Sequence, residues 1–203
     1  QRQLNDPYVV KAKKMGYKSR AAFKLLEIDA KFEILKQGMT IIDLGCSPGG
    51  WSQVAINKVV YSKKMEKLEK FGRVVGIDIN EPEDISGLEF YQLDFLEIDP
   101  PSFIQEHNLN CVDVVLSDMA ASSSGHKKTD HLRIIALCEA AADFANCVLK
   151  PGGVFVSKVL TGGAEPELQK LLKQQYSKVV NYKPPASRKD SSEKYVVATG
   201  FRA

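Results

Sequence analysis

Apolar residues along this chain gather in short runs separated by stretches where they recur every three or four positions. Seven runs are rich in β-branched residues and read as strands: 39–45 (MTIIDLG), 73–79 (RVVGIDI), 88–94 (LEFYQLD), 112–118 (VDVVLSD), 153–159 (GVFVSKV), 177–182 and 194–201. The last two look like a closing hairpin-like pair. Helical spacing dominates between them. In 19–35, Phe23, Leu26 and Ala30 share a face, Lys24 projects beside it, and Ser19 is placed as the N-cap. A second helix follows Gly50. A third spans about 130–149 on the stripe Ile134, Leu137, Ala141, Ala145 and Val148, stopped by KPGG, and a fourth covers about 165–176 behind Pro166. Strands alternating with helices predict an α/β domain over 1–203, a mostly parallel sheet with helices on both faces. Residues 1–37 form a basic helical extension on it. Ligands in such sheets sit at the carboxyl ends of the strands, where strand order reverses.

Composition is ordinary, with 44% hydrophobic and 26% charged residues. No apolar stretch is long enough for a membrane span and no signal-peptide pattern is present, so a cytoplasmic protein without membrane contact is expected. Cys46, Cys111, Cys138 and Cys147 lack paired spacing and read as reduced thiols. His107, His126 and His131 show no metal-like grouping, and no metal is expected. The net charge of +3 conceals an asymmetry: +5 over residues 1–40, −7 over 41–150 and +5 over 151–203. The stretch from Lys11 through Lys24 holds six basic residues and no acid. Basic flanks around an acidic centre suggest a polyanion gripped at both ends. Lys11, Lys13, Lys14, Lys18 and Arg20 at one end, with Lys183, Arg188 and Lys189 at the other, are the candidate phosphate contacts. Tyr17 reads as packing.

The first strand ends in Asp43-x-Gly45-x-x-x-Gly49-Gly50 and a helix opens behind it. Dinucleotide loops use G-x-G-x-x-G to seat a pyrophosphate on a helix N-terminus. Here the spacing differs, and the leading acid would repel a pyrophosphate while suiting an ammonium or sulfonium centre. The pattern resembles the first motif of class I methyltransferases, which implies S-adenosylmethionine as cofactor and a Rossmann-like fold. Later strand ends agree. Asp78 is placed to bind ribose hydroxyls, and Asp94 to accept from an adenine amino group beside Phe95. Asp118 closes the fourth strand. Lys158 stands out in the otherwise apolar fifth strand, where a lysine is costly unless paired or functional.

Lys24, Asp118, Lys158 and Glu193, in SRAAFKL, SDMA, VSKV and SRKDSSEKYVVATG, resemble the K-D-K-E tetrad of the FtsJ/RrmJ family of ribose 2′-O-methyltransferases. The similarity runs from about Asp6 to Arg202. DLGCSPGGWSQ resembles the family loop with Cys46 and Ser47 in place of two alanines, and adds Trp51 to the cofactor set. DMAASSSG departs from the usual Pro-Asn after Asp-Met-Ala. The Lys-rich stretch 62–70 receives no role. The resemblance implies methylation of a uridine ribose in 23S ribosomal RNA within the assembled large subunit, by a monomer. A transfer RNA enzyme of the same chemistry is the nearest alternative, and a non-catalytic RNA-binding module the alternative of another class. A dehydrogenase is disfavoured by the glycine spacing and Asp43.

The tetrad suits attack by a sugar hydroxyl, which needs positioning and proton removal but no metal. Lys158 is expected to be the base. It must be neutral to act, and the cations Lys24 and the cofactor sulfonium favour that form while Asp118 opposes it. Asp118 is therefore assigned to orienting the amine, and Glu193 to holding Lys24 or the ribose.

Overall fold

Successive residues of the central strands feed two different cores. The computed structural model describes residues 6–60, 71–109, 111–120, 125–161 and 165–203. The Lys-rich stretch 62–70 lies outside them, as does most of the loop after Ala120. Seven strands form one sheet: β1 (Thr40–Leu44), β2 (Arg73–Asp78), β3 (Leu88–Gln92), β4 (Val112–Ser117), β5 (Leu149–Leu160), β6 (Tyr176–Tyr182) and β7 (Glu193–Phe201). The helices are α1 (Pro7–Lys14), α2 (Ala21–Phe32), α3 (Gly50–Val59), α4 (Pro100–Glu106), α5 (Lys127–Val148) and α6 (Glu165–Gln175).

Because side chains alternate across a strand, Ile42, Leu44, Val75, Ile77, Val115, Phe155 and Val159 meet α4, α5 and α6 on one face. Ile41, Val74, Val114, Leu116, Val156 and Val197 meet α2 and α3 on the other. Both faces are covered, which is why β1 and β4 read as continuous apolar runs rather than alternating ones. Ala12, Phe23 and Ala186 form a third, small cluster joining α1, α2 and the segment before β7. Tyr17 packs edge-on against Phe23 there, 5.8 Å between centroids.

The strand order is β3-β2-β1-β4-β5-β7-β6. The pairs β1–β2, β2–β3, β1–β4 and β4–β5 are parallel, while β7 runs antiparallel to both β5 and β6. Strand order therefore reverses between β1 and β4, which sets the site at the carboxyl ends of those two strands. The antiparallel entry of β7 has a second effect. Leu160 pairs with Glu193 and Lys158 with Tyr195, so β7 begins at the same rim where β5 ends.

Three local expectations are corrected. Ser19 does not cap α2: the helix starts at Ala21 behind Arg20, whose side chain makes no capping bond. That helix also ends at Phe32 rather than Leu35, since Glu33 turns left-handed at φ 52°. β5 starts at Leu149, because the chain passes Pro151 and Gly152 through a register shift against β4 and rejoins the sheet. The helical extension expected over 1–37 contains the short helix α1, and the short helix α4 went unpredicted. α1 is capped by Asp6, which accepts from the Tyr8 N–H at 3.0 Å, and α4 by Asp99, which accepts from the Ser102 N–H at 3.1 Å. Each carries proline in its first turn, a start signal too short to show a periodic stripe. No helix among the described residues is long and apolar enough to cross a membrane.

Candidate methyl-transfer site

The loop from β1 into α3 turns tightly enough that only glycine fits. At Gly49 φ is +111°, and a Cβ would fall 2.0 Å from Ile85 Cδ1. At Gly50 a Cβ would press on Ser19 Oγ at 2.3 Å and on the Ala22 backbone nitrogen at 3.2 Å, so this glycine lets α2 and α3 meet at their N-termini. Behind the loop a cavity of about 480 Å³ opens, lined by Gly45, Ser47, Asp78, Asn80, Asp94, Phe95, Met119 and Leu137 among others. Gly45, Ser47 and Asp118 are shared with a narrow cleft of about 40 Å³ that continues to Ser19, Asp43, Gly50 and Trp51. A wide chamber and a narrow extension therefore meet at one point on the rim.

The carboxylates around these spaces differ sharply. Asp78 is tied down by backbone donors, accepting from Ser47 N at 2.9 Å and Asn80 N at 2.8 Å. Asp94 is exposed and caps the turn Phe95–Glu97 by accepting from Leu96 N at 3.0 Å. Asp43 is 1% exposed; one of its oxygens accepts from the Ser52 hydroxyl at 2.6 Å and the other has no partner. Burial pushes its carboxyl up to about 7, with Asp118 and Asp78 adding to the rise and the Ser52 hydrogen bond opposing it. A second buried oxygen in the same cleft, Ser19 Oγ, is also unpartnered. Two orphaned acceptors facing a small space fit a ligand group that brings donors and positive charge.

On the other side of the rim Lys158, 9% exposed, donates to the Asp118 carboxylate at 2.9 Å and to the Asp118 carbonyl at 2.8 Å. Glu193 pairs with Lys24 through Oε1 at 2.8 Å, while its Oε2 lies 3.9 Å from Lys158. The four residues named from the sequence thus converge from α2, the end of β4, β5 and the start of β7. Of the two arrangements expected for Glu193, the structure shows the one in which it holds Lys24, so the Lys24 charge is answered beside Lys158.

Two contributors escaped the sequence reading. The Tyr195 hydroxyl donates to Asp118 Oδ1 at 2.6 Å, and its ring lies 5.4 Å from that of Trp51 and 5.6 Å from Lys24 Nζ. Burial, with Asp118 and Glu193 nearby, holds this phenol well above its ordinary range. Ser187 donates to Glu193 Oε1 at 3.0 Å. Tyr195 was legible as a polar group two residues after Glu193 in an otherwise apolar strand; Ser187 carried no signal. Trp51 is buried, and its indole N–H donates to the Ala21 carbonyl at 2.9 Å, pinning α2 above the cleft.

The basic flanks divide. Lys11, Lys13, Lys14, Arg188 and Lys189 are exposed. Arg20 is turned inward: it pairs with Asp6 and donates to the Ala186 carbonyl, joining α1 to the segment before β7. Lys18 is engaged with Glu83 at 2.6 Å, and Lys183 donates to the carbonyls of Lys189 and Ser191.

A doubly wound sheet that switches between β1 and β4, with an acid-led glycine turn at the switch and a final antiparallel β7, defines a Rossmann-like class I methyltransferase. A model of FtsJ-like methyltransferases matches residues 17–201, and the chain belongs to that family. It is 61% identical over 203 residues to the Ruegeria pomeroyi protein named ribosomal RNA large subunit methyltransferase E, covering all of this chain and 86% of the relative. A Bradyrhizobium diazoefficiens protein of the same name is 54% identical over 202 residues, with the same two coverages of 100% and 86%. Among solved structures, a Plasmodium falciparum protein assigned as a ribosomal RNA methyltransferase superposes with a TM-score of 0.76 at 28% identity. That match covers 91% of this chain and 98% of the other.

Proposed function

We propose that the protein uses S-adenosylmethionine to methylate a ribose 2′-hydroxyl in RNA. The target is a uridine of 23S ribosomal RNA in the assembled large subunit, and the enzyme works as a cytoplasmic monomer. The ribosomal target draws on the names of the relatives. The chemistry draws on one observation: a lysine amine sits on the rim between Asp118 and Glu193, beside a cleft that ends in the unpartnered oxygens of Asp43 and Ser19.

S-adenosylmethionine, when bound, supplies a methyl group activated by its sulfonium charge. Asp78, Asp94 and Phe95 would hold its adenosine end, and Asp43, Ser19 and the Gly45–Trp51 turn its amino-acid end. Asp118, lining both spaces, orients the Lys158 amine, and Tyr195 holds Asp118 in turn. Lys158 removes the hydroxyl proton at Nζ, a role available to its neutral form. Lys24 and Glu193 steady the sugar next to it. The exposed cations Lys11, Lys14, Arg188 and Lys189 draw in the RNA backbone. DNA lacks the nucleophile, so the reaction itself selects RNA.

The test is to incubate the protein and labelled donor with under-methylated large subunits, free 23S RNA and transfer RNA, then map 2′-O-methyl positions by mass spectrometry. Label in one large-subunit uridine is the expected result. Label in transfer RNA would move the assignment to the transfer RNA enzyme, and binding without label to any RNA would favour the non-catalytic module.

A further inference from the structure

Glu193 uses its two oxygens unequally. Oε1 receives Lys24 at 2.8 Å and the Ser187 hydroxyl at 3.0 Å, whereas Oε2 stands 3.9 Å from Lys158, too far for a hydrogen bond. Nothing intrinsic to a glutamate keeps it from closing that gap, since its terminal torsion is soft. Ser187 is well placed to do so. It is 5% exposed, and its N–H donates to the Pro184 carbonyl at 2.9 Å. Its neighbour Ala186 is anchored at both polar groups, donating to Glu27 Oε2 of α2 at 2.7 Å and accepting from Arg20 just before that helix. The hydroxyl is thus fixed relative to the helix that carries Lys24.

We propose that Ser187 is a positioning residue of the methyl-transfer site, holding the Glu193 carboxylate on Lys24 and away from Lys158. The proposal rests on Lys158 acting as the base. Lys158 is faced by the carboxylate and carbonyl of Asp118, by Glu193, by Lys24 through Glu193, and by Tyr195 through Asp118, with Asp43 beyond Asp118. A second carboxylate in direct contact would hold the amine as an ammonium and oppose proton removal. Without the Ser187 hydroxyl, Glu193 becomes that second carboxylate.

The neutral fraction of Lys158 can be read without turnover, by trace acetylation with acetic anhydride across a pH series and quantification of the Lys158 peptide by mass spectrometry. In Ser187→Ala, labelling at neutral pH falls about three- to tenfold and recovers at higher pH, a displacement of the whole profile. Methyl transfer at neutral pH falls by the same factor and recovers in the same range. Ser187→Cys keeps the shape with a weaker donor and shows a smaller displacement. Ser187→Thr restores the wild-type profile, and in a Glu193→Gln background the Ser187→Ala effect disappears. A labelling profile that does not move in a folded Ala or Cys variant overturns the proposal, as does a rate loss equal at every pH. Failure of the methyl-transfer reading would look different: the labelling shift would stand while no RNA accepted a methyl group.

Discussion

At the β1 end of the rim a single carboxylate, Asp43, lies 1% exposed with one oxygen unpartnered. At the β4–β7 end, four charged side chains meet as two acids and two bases at 2.8–3.9 Å. In the first region burial drives the carboxyl toward its neutral form, up to about 7. The second pairs its acids with its own amines. Buried charge is tolerated only when compensated, and the two regions take their compensation from different sources. One presents an unpartnered carboxylate oxygen to its cleft. The other is held ready by its own neighbours.

The largest effect should come from removing the amine at the balanced end. Lys158→Ala is expected to lower methyl transfer by about 10²–10⁴-fold, the range of a lost general base. Donor affinity by titration calorimetry should stay within about twofold, since that amine belongs to the other region. A matched loss of affinity would show that the two regions are one.

Asp43→Asn attacks the incomplete end. Loss of a charge-assisted contact predicts roughly tenfold to hundredfold weaker donor binding. Its effect on the free protein runs the other way. A carboxyl raised from 3.8 to about 7 keeps its proton longer in the folded state. Its contribution to stability is full below the unfolded value of 3.8 and is lost as pH rises through about 7. Thermal scans between pH 4 and pH 8 should therefore show wild-type stability falling in this window relative to Asp43→Asn, and parallel curves would refute the assignment.

Tyr195→Phe removes one donor from Asp118 while leaving its bond to Lys158 in place. About three- to tenfold slower turnover is expected, with RNA and donor binding unchanged. The smallest signal is a fraction of a proton. Near pH 6 donor binding should expel it from Asp43, seen as a dependence of binding heat on the buffer's ionisation enthalpy. Asp43→Asn should abolish that dependence.

How far the residues spoke for themselves depended on the range of the interactions involved. Strands and long helices were legible because burial on both faces forces unbroken apolar runs, and a helix packed on a sheet forces a stripe. The glycine turn was legible because glycine alone reaches φ +111° with Ile85 against it. Lys158 was legible because an amine in an apolar strand demands a partner. The same logic misled at Ser19, where a good capping residue beside a helix lines the cleft instead, and at Arg20, a surface cation by sequence that is committed to Asp6 and Ala186.

Residue type and local spacing determined the alternation of elements, the acid at each strand end and the lysine in the fifth strand, all of them short-range consequences of burial and backbone geometry, while Lys24 and Glu193 were named through the family resemblance. Only the tertiary structure decided which oxygen meets which amine. The antiparallel entry of β7 brings Glu193 and Tyr195 back to the rim, and packing around Ala186 delivers Ser187 to Glu193. Such pairings join residues up to 169 positions apart along the chain, as Lys24 and Glu193 are, and no local pattern encodes a contact at that distance.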